Sequence, residues 1–123
     1  MNRIKSIYLK LCRRIYSVGK LQYEKLASEN LSNLVTKGKS SVLYPNSSVY
    51  NFSKNRTKIK IGENCHIYGY LIVYDYSGQI TLGDNCSLGD NSRIVSVSRI
   101  IIGNRVMIAH NVNILDNISH PLN

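Results

Sequence analysis

Three histidines are the residues of this sequence best suited to acid–base chemistry: His66, His110 and His120. Imidazole, with an unperturbed pKa of about 6.5, is mostly neutral at physiological pH and can accept a proton there. His120 precedes a proline directly after an unusually regular stretch, so it is either a chemical centre or a polar residue of a tail. We expect His66 and His110 to lie exposed on flat faces, with substrate contact as the alternative. No i, i+4 or Cys-x-x-Cys spacing supports a metal site, and none is expected.

Length and charge limit the classes of protein to consider. At 123 residues and 43% apolar content the chain suits one domain, and it contains no apolar run near the roughly 20 residues of a membrane span. The net charge of +9 is uneven, because residues 1–20 carry basic side chains and no acidic one, whereas the sequence from Ile61 onward is close to neutral. A nucleic-acid binder usually spreads its basic residues over the folded part. We therefore expect no nucleic-acid partner.

Cysteine usage favours a reducing compartment. The cysteines are odd in number, and basic residues interrupt the apolar region that a secretory signal at the N-terminus would need. We expect a cytoplasmic protein with free thiols. Cys65 and Cys86 should stack inside the fold as small core residues, whereas Cys12 lies on the N-terminal helix, where it could be exposed, with acylation as an alternative role.

The first 35 residues form an N-terminal helical segment in this interpretation. Apolar residues recur at helical spacing, with basic residues largely between them: Ile4, Ile7, Tyr8, Leu11, Ile15 and Val18. The pattern predicts a basic amphipathic helix over 2–17 that stops at Gly19, and a second helical stretch over 20–35. This segment either covers one end of the domain or also rests on an anionic membrane surface through residues 1–20.

Residues 36–58 are rich in Ser, Asn and Lys and are predicted to form irregular strands leading into a repeat over 59–123. Written in sixes, the repeat contains "IGENCH", "LGDNCS", "LGDNSR", "IVSVSR", "IGNRVM", "IAHNVN" and "ILDNIS". Position one is Ile or Leu, position two is often Gly, and position five is small or aliphatic. A period of six predicts a solenoid with one short strand and one corner per six, in which Gly or Asn at the corner accepts a positive φ.

These sixes resemble the hexapeptide repeat of the left-handed parallel β-helix acyltransferases, which include the maltose, galactoside and serine acetyltransferases and the sugar O-acetyltransferases of bacterial surface polysaccharides. In that family three sixes make one triangular coil. Ile61, Leu82, Ile102 and His120 are separated by 21, 20 and 18 residues, so each should begin a new coil. The resemblance covers about half the chain. It implies a mainly β fold, namely a left-handed parallel β-helix preceded by the basic amphipathic helix.

The resemblance also implies a reaction. The segment "IGNRVMIAHNVNILDNISHPLN" is similar to the part of the sugar O-acetyltransferases in which a histidine acts as the general base. By that match His120 takes the proton from a sugar hydroxyl as the hydroxyl attacks the thioester of acetyl-CoA, without an acyl-enzyme. Asp116 is expected to orient the imidazole as a triad carboxylate does, or else to be a solvated corner residue. Asn91 is the nearest candidate for an asparagine that the family contributes from a neighbouring subunit.

Several alternatives stay open at this stage. The family implies a homotrimer, with acetyl-CoA as co-substrate and a sugar or glycan as acceptor. Family members continue for several coils after the histidine, so the end at Asn123 also suggests a non-catalytic β-helix fragment or a trimeric assembly module. A third interpretation is a membrane-surface adaptor led by the basic helix. The tyrosines of "YGYLIVYDY" (Tyr68, Tyr70, Tyr74 and Tyr76) either pack against a neighbour or stack on sugar rings.

Overall fold

The computed structural model describes residues 2–74 and 77–117 and shows one long helix followed by a left-handed parallel β-helix of four coils. Helix α1 spans Arg3–Ser32, and the short 3-10 helix spans Arg56–Lys58. Each coil contributes three short strands. In chain order the strands are β1 Thr36–Lys37, β2 Val42–Leu43, β3 Ser48–Asn51, β4 Ile59–Ile61, β5 His66–Ile67, β6 Tyr70–Val73, β7 Ile80–Leu82, β8 Ser87–Leu88, β9 Arg93–Ser96, β10 Ile100–Ile102, β11 Met107–Ile108 and β12 Asn113–Leu115.

The strands stack into three parallel sheets that form the three sides of a prism. The first sheet has the order β1-β4-β7-β10, the second β2-β5-β8-β11 and the third β3-β6-β9-β12. The register aligns Ile61 with Leu82 and Leu82 with Ile102, which confirms these residues as equivalent positions of successive coils. Parallel strands need a long crossover, and here each crossover is the rest of one coil.

The core lies inside the prism and is formed by alternate residues of each strand. Inward side chains at position one are buried in the middle coils, whereas in the last described coil Ile108 is buried and Ile102 and Ile114 are half-buried. Cys65 and Cys86 are buried in this core, as predicted, while Cys12 is exposed on α1. The buried apolar residues are Val35, Leu43, Val49, Ile59, Ile61, Cys65, Ile67, Leu71, Val73, Ile80, Leu82, Cys86, Leu88, Ile94, Ile100 and Ile108.

At the corners, the residues with positive φ are not the residues that the next coil approaches most closely, whereas the sequence pattern predicted Gly or Asn alike for positive φ. Positive φ falls on asparagine at several corners, with Asn64 at 54° and Asn85 at 57°, whereas among the described residues no glycine has a positive φ. Position-two glycine is instead required by close approach of the next coil. A Cβ on Gly62 would meet the Asp84 carboxylate and lie 2.6 Å from the carbonyl atoms of Gly83. Asparagine tolerates the left-handed region better than most side chains, so it occupies the turn itself.

Residues 36–58 are a complete first coil, rather than the irregular strands predicted from sequence. Strands β1, β2 and β3 pair in register with β4, β5 and β6 of the second coil. The repeat was hidden because Lys37 stands where later coils carry Ile61 and Leu82. Lys37 is exposed and its ammonium donates to the Ser41 carbonyl over 2.9 Å, so an aliphatic side chain is not needed at this end of the prism.

Helix α1 is continuous through Gly19, and the prediction of two helices separated there is wrong. A glycine in a helix interior is unfavourable by only about 1 kcal/mol relative to alanine, which neighbouring good helix formers outweigh. The helix begins at the Asn2 cap, whose side chain accepts from the Ile4 amide over 3.1 Å. Its C-terminal end meets the solenoid, where Leu31 packs against the core. In the part of the chain described, no helix has the length and apolar content to cross a bilayer.

Candidate functional site

Asp116 follows β12 directly and caps the corner of the coil before it. Its Oδ1 accepts from the Val97 amide over 2.8 Å, and its Oδ2 accepts from the Ser96 hydroxyl over 2.7 Å and from the Ser98 amide over 2.9 Å. Burial alone would raise the pKa of this carboxyl, but the hydrogen bonds outweigh it and hold the pKa below the ordinary value. Asp116 is therefore an ionised, partly buried cap and not a solvated corner residue.

The expected partner of Asp116, His120, lies outside the described residues. Three of the roughly four lone-pair positions of the Asp116 carboxylate are engaged by the corner of the third coil. The carboxylate thus has a structural task that its sequence position did not reveal. Its orientation of an imidazole stays a prediction, and so does the role of His120 as a base.

Asn91 occupies a different corner, between β8 and β9. Its φ is 57°, and its amide donates to the Asn111 side chain of the next coil over 2.6 Å. The same ladder occurs at the neighbouring corner, where Asn64 donates to Asn85 over 2.8 Å. Strand β9 separates Asn91 from the corner that Asp116 caps, a span of about 13 Å for four extended residues. Within one chain the two residues are not brought together.

A shallow groove of about 410 Å³ runs along the outer face of the third sheet, next to Asp116. The groove crosses the outward positions of β6, β9 and β12, where the pleat presents alternate residues to the outside. The guanidinium of Arg93 also lies 5.6 Å from the centre of the Tyr70 ring. The groove is lined by Ile72, Tyr74, Arg93, Val95, Asn113, Leu115 and Asn117.

An exposed aromatic row extends from this groove toward the first coil. The Phe52 ring stacks on Tyr74 with centres 5.6 Å apart, and Tyr50 stacks on Phe52 with centres 6.4 Å apart. Sequence reasoning singled out Tyr70 and Tyr74, but missed Tyr50, Phe52 and the groove, because 36–58 was not recognised as a coil. The sequence carried little signal for these faces, because "YLIV" and "RIVS" do not alternate polar with apolar residues, although burial alternates along β6 and β9 in the fold.

The other tyrosines and histidines have separate environments. Tyr68 stacks on Tyr44 with ring centres 4.1 Å apart, and the Tyr44 hydroxyl lies 2.9 Å from Nδ1 of His66. His66 is therefore half-buried and hydrogen-bonded, rather than exposed on a flat face, whereas His110 is exposed as expected. Tyr76 lies outside the described residues. Among the residues that are described, no cluster of His, Cys, Asp and Glu has the arrangement of a metal site.

Comparisons with known proteins identify no relative of this chain. No protein-family description, no curated protein and no solved structure matches the chain. The similarity to hexapeptide-repeat acyltransferases accordingly rests on the repeat, and the β-helix that the repeat predicted is present.

Proposed function

We propose that this protein is an acetyl-CoA-dependent O-acetyltransferase that acts on a sugar hydroxyl, in the synthesis of a bacterial surface polysaccharide. His120 takes the proton of the hydroxyl while its oxygen attacks the thioester carbonyl. The carbon–sulfur bond then breaks, the acetyl group stays on the sugar oxygen, and the imidazolium returns its proton to the departing CoA thiolate. Imidazole suits both steps because its pKa lies close to neutral pH.

The groove on the third sheet is the observation that carries this proposal. Sugar rings present apolar C–H faces and several hydroxyl groups, so their binding sites combine aromatic surface with amide and charged donors. Tyr74 and Leu115 supply apolar surface, and Arg93, Asn113 and Asn117 supply polar groups. The groove ends at Asn117, three residues before the proposed base.

Asp116 acts in this proposal as a positioning residue. By binding the corner of the third coil it fixes the point at which the chain leaves β12 toward His120. Asn91 belongs to a corner of the same coil and would serve a neighbouring subunit of a homotrimer, because β9 separates it from Asp116 in its own chain. Exposed Arg93, Arg99 and Arg105 are the cations of the last two coils that could meet the phosphates of acetyl-CoA.

The test is acetyl transfer from acetyl-CoA to a panel of sugars and lipid-free oligosaccharides, followed by mass spectrometry of the acetylated product. Mass detection is preferable to a thiol reagent, because Cys12 is exposed and would react with it. The His120→Ala variant should lose turnover by at least about a hundredfold, the usual contribution of a general base. His110→Ala is the matched control, since it removes an exposed imidazole from the last described coil. Turnover that survives in His120→Ala would contradict the assignment of the base.

A second candidate is a non-catalytic assembly module, and the last described coil favours it. Several inward residues of this coil, namely Ile102, Val112 and Ile114, are only half-buried, and Ile101 and Met107 are exposed on its outer faces. In the described part of the chain, β10, β11 and β12 each pair on one side only, which leaves polar backbone groups free to join another chain. A chain that self-associates in analytical ultracentrifugation and binds no acetyl-CoA by calorimetry would favour this candidate over the enzyme.

A further inference from the structure

Helix α1 carries an apolar stripe that no described part of the protein covers. Helix α1 has no buried residue, and its side chains are exposed to 73% at Ile4, 55% at Leu11 and 65% at Ile15. The stripe consists of Ile4, Ile7, Tyr8, Leu11, Ile15 and Val18. Only the C-terminal end of the helix reaches the solenoid, through Leu31. The prediction that this helix merely covers one end of the domain therefore leaves its whole N-terminal half unexplained.

Basic residues surround the stripe. At 100° per residue, Arg3, Lys10 and Arg14 follow one flank and Lys5 the other, while Arg13 lies opposite. All of these side chains belong to exposed residues. No acidic residue occurs before Glu24, so this half of the helix holds a positive charge without internal compensation.

The positive charge around the stripe makes a second copy of the same helix an unfavourable partner to cover it. Pairing two stripes would bring flanking residues such as Lys5 and Arg14 of one helix against basic residues of the other, in either direction. No carboxylate lies between residues 2 and 20 to form the salt bridges that usually support such pairs. An occupant that is apolar in its interior and negative at its surface meets both features of the helix.

We propose that the N-terminal half of α1 docks on an anionic phospholipid surface. The stripe would enter the boundary between headgroups and acyl chains, and the flanking lysine and arginine side chains would reach the phosphates. The stripe runs along residues 4–18, which extend over roughly 21 Å, and all of it can enter the lipid boundary only if the helix lies parallel to the surface. The helix is too polar to cross the bilayer. This inference does not depend on the proposed acetyl transfer, because it uses no residue of the solenoid.

Docking by this stripe would also determine how far the solenoid lies from the lipid surface. The chain passes from Leu31 to the buried Val35 and then into β1 with few intervening residues. The β-helix would be held within a short distance of the lipid surface, so that the protein would meet acceptors presented there.

The test is co-sedimentation of the full chain with vesicles. Vesicles of phosphatidylcholine are compared with vesicles containing about 30% phosphatidylglycerol, at low and at high salt. We expect binding to the anionic vesicles only, with about a fivefold loss of affinity for each basic residue replaced by glutamine. Ile15→Asp should weaken binding by about tenfold or more, because the lost apolar burial is that of a whole side chain.

Leu9→Asp is the matched control. It makes the same kind of change at another exposed apolar residue of the helix, but about 150° away from the centre of the stripe. Retained binding in Leu9→Asp and lost binding in Ile15→Asp supports the proposal. Equal loss in both variants shows that charge alone mediates the contact, and overturns it. Equal binding to both kinds of vesicle overturns it as well, and so does self-association that Ile15→Asp abolishes.

Discussion

Replacing Gly62 with alanine tests whether coil-to-coil packing dictates glycine at position two of the repeat. The added Cβ would lie 2.6 Å from the carbonyl carbon and oxygen of Gly83 in the next coil, where ordinary contacts are about 1 Å longer. Those atoms are backbone, and the Gly62 amide is itself hydrogen-bonded to the Leu82 carbonyl over 2.9 Å. The two coils cannot separate without weakening the ladder. We therefore expect the full overpacking penalty of about 2–3 kcal/mol.

Gly103 supplies the matched control. It occupies the same position of its own six, and a Cβ there would meet nothing within 4 Å among the described residues. Neither glycine has a positive φ, so alanine strains the backbone at neither site. Both substitutions reduce the freedom of the unfolded chain and stabilise by about 0.5 kcal/mol, which cancels in the comparison. We thus expect the free energy of unfolding of Gly62→Ala to be about 2–3 kcal/mol lower than that of Gly103→Ala.

Thermal unfolding followed by far-UV circular dichroism measures this gap. At about 4 °C per kcal/mol for a domain of this size, Gly62→Ala should melt about 8–12 °C below Gly103→Ala. Gly103→Ala itself should melt at or slightly above the temperature of the natural protein. Variants that melt within about 2 °C of each other would refute the argument, because the close approach of the coils would then impose no requirement for glycine.

The remaining predictions concern a carboxylate and the thiols. Asp116→Asn should lower the free energy of unfolding by about 1–2 kcal/mol at pH 7, since an amide cannot accept all three hydrogen bonds of the carboxylate. Because the pKa of Asp116 is lowered in the folded state, its contribution is complete above the ordinary value of 3.8 and is lost as the pH falls below it, so chemical denaturation should show the gap closing on acidification. Cys12 should react with a thiol reagent in the native protein, whereas Cys65 and Cys86 should react only on unfolding. Burial raises the pKa of the Cys65 thiol, which adds to its protection, and rapid labelling of all three thiols under native conditions would contradict the buried core.

Most of the solenoid could be predicted because a six-residue period leaves few other folds. Aliphatic residues such as Ile61 and Leu82 recur at the start of coils, and their register in the first sheet follows directly. The first coil escaped recognition because Lys37 interrupts the aliphatic position at the end of the prism. The continuity of α1 through Gly19 was also missed, because the glycine was interpreted as the end of the helix. A single glycine is a weak stop signal when no proline follows it, and Gly19 stays within the helix.

The candidate site was less predictable, because its parts come from different coils. Arg93, Asn113 and Tyr74 are far apart in sequence and become neighbours only when β6, β9 and β12 pair. Asp116 was singled out for its distance from His120 along the chain. Its actual partners, Ser96, Val97 and Ser98, belong to the preceding coil and are visible only in the register of the third sheet.

The sequence alone determined the repeat, the inward position of its aliphatic residues and the basic amphipathic character of the N-terminal segment. These features depend on residue type and local spacing, which the chain carries in one dimension. The tertiary structure decided which corner residue takes a positive φ, which glycines have no room for a side chain, and which side chains share the groove. Those outcomes depend on what the next coil places against each residue, and coils meet at separations of about 20 residues that no local pattern records.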